Sequence, residues 1–273
     1  MPSRMRLRDR TALITGAASG IGRAIAVSLA RRGCHLALAD VNEAGLAETA
    51  SLVRSGSLLV TEHRLDVSDR DAIAKFPAEI AAAHPRVDLL VNNAGVAVGG
   101  TFEQVSEADF DWLLSINFFG VVRMTRSFLP VLKRSDDARI VNLSSVFGLV
   151  APPGQAAYVA SKFAVRGFSE SLRHELEGTT VGVTVVHPGG VATSIAKNAR
   201  VPGGHDADEV ERRRAAFDKH LRLPAALAGE TIVLGVEARK PRVLVGKDAI
   251  ALSVVERVAP VSYWKLLGRA MRD

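Results

Sequence analysis

From Thr11 onward, short runs of Val, Leu, Ile and Ala alternate with longer stretches whose apolar residues recur at helical spacing. The first cycle, Thr11 to Ile14, Ser19 to Arg32 and Cys34 to Ala39, reads as strand, helix and parallel strand. The rhythm continues through a strand near Leu59 to Leu65, a helix from Asp69 to Ala83 and a strand at Val87 to Val91. A long helix from about Ser106 to Lys133, a strand at Arg139 to Leu143, a helix from Gln155 to Leu176 and a strand at Val181 to Val186 follow. Strands that are apolar on both faces belong to a parallel sheet with helices packed on each side. The expected fold is therefore α/β: a single doubly wound domain over residues 1–273, with a parallel sheet of about seven strands. No Pro/Gly/Ser-rich linker, internal repeat or low-complexity tract divides the chain.

Hydrophobic residues make up 48% of the 273 and charged residues 23%, enough apolar surface to bury a sizeable core. The net charge of +6 raises nucleic acid or an anionic membrane as partners. Basic residues, however, are interleaved with acids, as at Glu209, Glu211 and Arg212 to Arg214, and aromatics for base stacking are few. Nucleic-acid binding is not expected. The lone cysteine, Cys34, opens an apolar run and reads as a buried thiol in a reducing compartment. The basic segment Met1 to Arg10 lacks the apolar stretch of a secretory signal, and no window reaches the length of a membrane-spanning helix, so a cytoplasmic location is expected.

Thr15 to Gly22, reading TGAASGIG, lies where the first strand turns into the first helix. Gly16, Gly20 and Gly22 allow a tight turn and close approach of a pyrophosphate to the helix start, with Ser19 and Ile21 beside it. The spacing departs from GxGxxG, and a glycine-rich turn without a ligand is the alternative. Asp40 closes the second strand where a carboxylate meets the adenosine ribose. Val41 follows it where a 2′-phosphate site would need a base, so NAD is favoured over NADP; capping of a helix near Asn42 is the plainer reading of Asp40. Asp66 and Val67 end the third strand, facing the adenine or forming an ordinary turn. Asn92 to Gly95, reading NNAG, follows the fourth strand at the sheet edge where such folds place ligands. Tyr158 and Lys162, four apart, share one helical face, and Ser145, just past the fifth strand, can face them across the crevice.

Over residues 9–193 these motifs resemble the short-chain dehydrogenase/reductase family. TGxxxGxG at Thr15 to Gly22, NNAG at Asn92 to Gly95, Asn117 in the long helix, Ser145 with YxxxK at Tyr158 to Lys162, and PGxxxT at Pro188 to Thr193 stand in the family's order. The resemblance implies a Rossmann-type fold and a catalytic set of Asn117, Ser145, Tyr158 and Lys162. Tyr158 would be the general acid/base, its pKa of about 10 lowered by the Lys162 ammonium. Ser145 would hold the substrate oxygen, with Ser144 as second choice, and Asn117 would interrupt its helix and place a water on a proton path to Lys162. The cofactor would contact Gly16, Ser19, Gly20, Ile21, Gly22, Asp40, Asp66, Val67, Asn93, Ala94, Gly95, Tyr158, Lys162, Pro188, Gly189, Val191 and Thr193. No metal set is expected, since the seven histidines are scattered and no HExxH occurs.

The resemblance also makes residues 194–223 a lid over the substrate. With Val146, Phe147, Leu149, Val150, Ile195 and Ala196 as lining, the cavity is apolar and suits an uncharged secondary alcohol or its ketone. Phe118, Phe119, Val121, Phe163 and Phe168 exceed a sheet-facing stripe, and the family usually pairs these helices, so a homodimer or homotetramer is expected. The tail, residues 253–273, carries Trp264, Leu267 and Met271 on one helical face beside Lys265, Arg269 and Arg272. It is expected to close a neighbouring subunit's pocket in preference to lying on a membrane surface. An NADP-dependent carbonyl reductase and a non-catalytic dinucleotide sensor are the competing readings.

Overall fold

The computed structural model describes residues 4–201 and 221–270. Its seven-stranded sheet is entirely parallel and runs in the order β3-β2-β1-β4-β5-β6-β9. The strands are β1 (Thr11–Thr15), β2 (His35–Asp40), β3 (Val60–Arg64), β4 (Leu89–Asn92), β5 (Ala138–Leu143), β6 (Val181–Pro188) and β9 (Arg242–Val245). A second, two-residue pair joins β7 (Val191–Ala192) to β8 (Leu223–Pro224). The order reverses between β1 and β4, which opens a crevice at the carboxyl edge of the sheet.

The helices are α1 (Gly20–Ala30), α2 (Glu43–Val53), α3 (Arg70–Ala83), α4 (Glu107–Leu114), α5 (Val121–Leu132), α6 (Ala156–Glu175), α7 (Ala225–Glu237), α8 (Lys247–Val258) and α9 (Tyr263–Ala270). One core, around Ile14, Leu36, Val141 and Val186, buries α1 and α7 against the sheet. The other, around Leu13, Phe76, Leu90, Phe128 and Ile140, buries α3 and α5 on the opposite face. Gly229 permits close contact of α7 with α1, since a Cβ there would lie 2.5 Å from the Ala24 carbonyl carbon. Cys34 is buried, and burial pushes its thiol pKa well up.

The amino end of the sheet is tied by a polar knot. Asp88 is fully buried, accepting from Thr11 N–H at 2.9 Å and from Arg86, Arg10 and Ser135. A buried carboxylate is tolerable only with such a set of donors. Strand β4 spans Leu89–Asn92 where Val87 to Val91 was expected, although the Asp88 main chain already bonds Thr11 and Arg139 on its two sides. Among the described residues no helix is long and apolar enough to cross a membrane, and no cluster of three His, Cys, Asp or Glu gathers.

Candidate active site

The glycine turn is built against the loop after β4. The Thr15 hydroxyl accepts from Asn93 and Ala94 N–H, each at 3.1 Å, while Asn93 Nδ2 donates to the Thr15 and Gly16 carbonyls at 2.9 and 3.0 Å. Gly16 has φ +66°, and a Cβ there would lie 2.8 Å from Ala94 Cα, so the turn admits no side chain at this point. Gly22 packs as closely on the Gly16 carbonyl, and Gly20 starts α1 beneath the Thr193 methyl. Ser19 is the N-cap residue of α1 but makes no side-chain cap bond, and Ile21 packs into the core. The helix start is thus left to an incoming anion.

Asp40 braces this turn. One carboxylate oxygen accepts from Ala18 N–H and the other from Asn42 N–H, both at 3.0 Å. It does not cap α2, because Asn42 does so itself through Gly45 N–H at 3.0 Å. Each Asp40 oxygen retains a lone pair for a further donor. Asp66 turns back on Ser68, taking its N–H at 2.8 Å and its hydroxyl at 2.7 Å, while Val67 is buried against Gly120.

At Asn117 the long helix is interrupted, as the resemblance implies. Ser115–Gly120 forms a π-turn between α4 and α5, and Asn117 is wholly buried within it. Its side chain accepts from Val96 N–H at 2.8 Å, donates to the Val96 carbonyl at 2.9 Å and reaches the Ser161 hydroxyl at 3.2 Å. Gly95 separates it from Lys162: a Cβ there would lie 3.3 Å from Asn117 Oδ1 and 3.5 Å from Lys162 Nζ. Below them, Asn92 donates to Asn142 at 2.8 Å and Asn142 to Ser169 at 2.9 Å, a buried relay that locks β4, β5 and α6 together.

The two serines after β5 face apart. Ser144 donates to the Lys162 carbonyl at 2.8 Å and is held against Gly148. The Ser145 hydroxyl accepts from Phe147 N–H at 3.1 Å and lies near enough to the Tyr158 phenol to favour its charged form. Phe147 stands edge-on to the Tyr158 ring, centroids 6.2 Å apart. Lys162 Nζ lies 5.5 Å from the centre of that ring and donates to the Leu143 carbonyl at 3.1 Å.

The electrostatics correct one expectation. Burial pushes the Tyr158 phenol up to about 12 despite the nearby Ser145 hydroxyl, and burial lowers Lys162 to about 8. At the phenol desolvation outweighs the opposing contribution of Ser145, and Lys162 Nζ is turned to the Leu143 carbonyl. With one main-chain acceptor for its three donors, the buried Lys162 has capacity for the hydroxyls of a bound ligand.

Several residues without a motif complete the site. His187, fully buried on β6, donates from Nδ1 to the Ser145 carbonyl at 2.9 Å. It stands next to Pro188, whose turn continues through Gly189 to Val191, buried in β7. Arg200 pairs its backbone with Ala97 and Gly99, lays its guanidinium 3.4 Å over the Trp112 ring and bonds Asp109 at 2.9 Å. It so fastens the chain at residue 200 beside the cluster that holds Val98, Trp112 and Tyr158. The lid residues at 202–220 lie outside the described residues. Tyr263 takes Ala151 N–H at 2.9 Å, so the tail meets the loop after Ser145 in its own subunit. That is a cis contact where one to a neighbouring subunit was expected; Met271 and Arg272 lie outside the described residues. Of the five apolar positions singled out for subunit pairing, Val121 is buried within the chain and Phe118 packs on Phe168, which leaves Phe119 and Phe163 exposed.

Residues 10–202 match the family model for short chain dehydrogenases. The chain is 42% identical over 261 residues to SadH of Mycobacterium tuberculosis, an oxidoreductase by name, covering 94% of each. Its structure is similar to that of a short chain dehydrogenase/reductase from Burkholderia phymatum in complex with NAD, at TM-score 0.86 and 31% identity over 93% of this chain and 95% of that one. It also resembles a short chain dehydrogenase from Mycobacterium paratuberculosis bound to NAD, at TM-score 0.77 and 26% identity over 90% of this chain and all of that one (100%).

Proposed function

Because the chain belongs to the short-chain dehydrogenase/reductase family and is an oxidoreductase of that type, we propose that it moves a hydride between NAD(H) and an uncharged, hydrophobic secondary alcohol or ketone. The observation that carries this reading is the convergence of the Ser145 hydroxyl and the Tyr158 phenol at the open sheet edge, with buried Lys162 one helical turn away.

The residues present fit a dinucleotide. The uncapped start of α1 would take the pyrophosphate on the N–H groups around Ser19 to Gly22, Asp40 would accept from the adenosine ribose, and Lys162 would donate to the nicotinamide ribose. Asp66, Val67, Asn93, Ala94 and Gly95 would flank the adenine and ribose, with Pro188, Gly189, Val191 and Thr193 under the nicotinamide. The cofactor supplies or accepts the hydride. Tyr158, protonated when its pKa stands near 12, gives its proton to a ketone oxygen that Ser145 holds. In the oxidative direction the same phenol must first lose that proton, and a cationic cofactor and the ammonium of Lys162 both favour its doing so. Asn117 keeps the π-turn and the Val96 backbone in place beside Lys162 and, by resemblance, holds a water on the proton path.

Phe147, edge-on to the Tyr158 ring, gives the reacting centre an apolar neighbour, and the Val146, Leu149 and Val150 that flank it in sequence are buried and apolar, which supports an uncharged substrate. Exposed Phe119 and Phe163 support pairing of subunits through α5 and α6, which a mass measured by light scattering decides. An NAD(H)-coupled absorbance screen of secondary alcohols and ketones, run beside Tyr158→Phe, tests the whole reading. Turnover of hydrophobic substrates is expected, falling by roughly two to four orders of magnitude in the variant with NADH affinity kept. Activity surviving in Tyr158→Phe, or turnover confined to short charged hydroxy acids, would reject it.

A further inference from the structure

The turn after β6 is held by a carboxylate that no motif marks. Asp248, in the first turn of α8, accepts a hydrogen bond from Gly190 N–H at 2.6 Å. Two glycines leave room for it. A Cβ on Gly189 would lie 2.2 Å from both carboxylate oxygens, and one on Gly246, where φ is +103°, would lie 2.4 Å from Oδ1. Either side chain would expel the carboxylate.

The other main-chain bonds of the turn are Gly189 N–H to the Val245 carbonyl, Val191 N–H to the Gly189 carbonyl and Leu223 N–H to the Gly190 carbonyl, each at 2.9 Å. Among the N–H groups of the turn, that of Gly190 is met by Asp248 and not by a main-chain carbonyl. An acidic residue suits the place twice over: the N-terminal end of a helix favours negative charge, and a carboxylate forms a stronger bond to a backbone N–H than a neutral acceptor. The segment that bears it continues through α8 to Tyr263, which holds Ala151. One carboxy-terminal arm therefore touches both the turn at Pro188 to Gly190 and the loop after Ser145.

We propose that Asp248 is a positioning residue that fixes the Pro188 to Gly190 turn and through it sets the affinity for the nicotinamide dinucleotide. This rests on the cofactor reading above. Asp248 touches the turn and not the cofactor, so its effect belongs in cofactor binding and not in the chemical step.

The test compares the wild type with Asp248→Ala and Asp248→Asn, the latter keeping an acceptor oxygen at the same reach. Three quantities are read: hydrogen–deuterium exchange of the peptide spanning Val186 to Ala192 without cofactor, Kd for NADH by fluorescence, and Tm. In the alanine variant, exchange in that peptide rises and Kd for NADH rises roughly five- to tenfold, with kcat at saturating cofactor within about twofold. The asparagine variant returns both readings to within about threefold of wild type. Unchanged exchange and Kd in Asp248→Ala would overturn the proposal, as would an asparagine variant no better than alanine. Faster exchange spread over the whole sheet with a fallen Tm would reduce Asp248 to a general stabiliser and overturn it too. If wild type binds neither NADH nor NADPH, the cofactor reading itself fails; intact wild-type binding with an indifferent Asp248→Ala sinks the clamp alone.

Discussion

The imidazole of His187 and the carbonyl of Ser145 are joined by a 2.9 Å hydrogen bond within the sheet, with Nδ1 as the donor. Burial drives the ring's pKa down to about 4, so it is neutral at pH 7 with its proton on Nδ1. His187→Leu leaves that carbonyl without its donor and frees the residue that faces Tyr158. A fall in kcat on the order of tenfold is expected, whereas His187→Asn, whose amide N–H occupies the same place, stays within about threefold. Equal losses in both variants, with Tm matched, would show that the hydrogen bond does not matter.

A second buried imidazole shares this property. His84, bonded through Nε2 to the Thr61 hydroxyl at 2.7 Å, is also lowered by burial from 6.5 to about 4. Between those values the unfolded chain binds protons that the folded chain refuses, so stability falls as pH drops through 6.5 toward 4 and levels off above 6.5. Tm measured at pH 7 and pH 5 is expected to be lower at pH 5, with a shallower slope in a His84→Gln, His187→Asn double variant. A flat wild-type profile over that interval would contradict both assignments.

Arg200, at the start of the segment proposed as a lid, is held by Trp112 and Asp109 on a half-exposed surface, where a cation–π contact and an ion pair are each worth about 1 kcal/mol or less. Arg200→Met is therefore expected to raise KM for the ketone roughly three- to tenfold while leaving Kd for NADH within twofold. A change confined to cofactor binding would place the latch elsewhere.

On the proposed reading Asp40 would repel a 2′-phosphate, and Val41 beside it is exposed and uncharged. Fluorescence titration should find NADH bound roughly tenfold or more tightly than NADPH, with the gap narrowing in Asp40→Ala. Tighter NADPH binding in the wild type would reverse this assignment.

Strands β1, β2, β5 and β6 were legible because burial on both faces leaves unbroken apolar runs, and the motifs are legible because they sit at strand ends. The knot at Asp88 was not, since that residue looks like any surface acid until Arg10, Arg86 and Ser135 are brought to it. The break at Ser115–Gly120 is invisible in an apolar repeat that continues through it; only the resemblance singled out Asn117. Helix α7 drew no assignment because it is apolar almost all round, packed between α1 and the sheet without a polar stripe. His187, Arg200, Asp248 and Tyr263 act through partners distant in sequence, and no local pattern announces such pairs.

The last strand of the sheet has a kinetic consequence. Val185 on β6 takes Arg242 on β9 as its partner, so the whole lid segment and α7 must be looped out before that edge can zip up. Until then β6 is itself a bare edge, able to pair with another chain. Slow refolding and loss to aggregates when the protein is diluted from denaturant at high concentration follow from this one crossover.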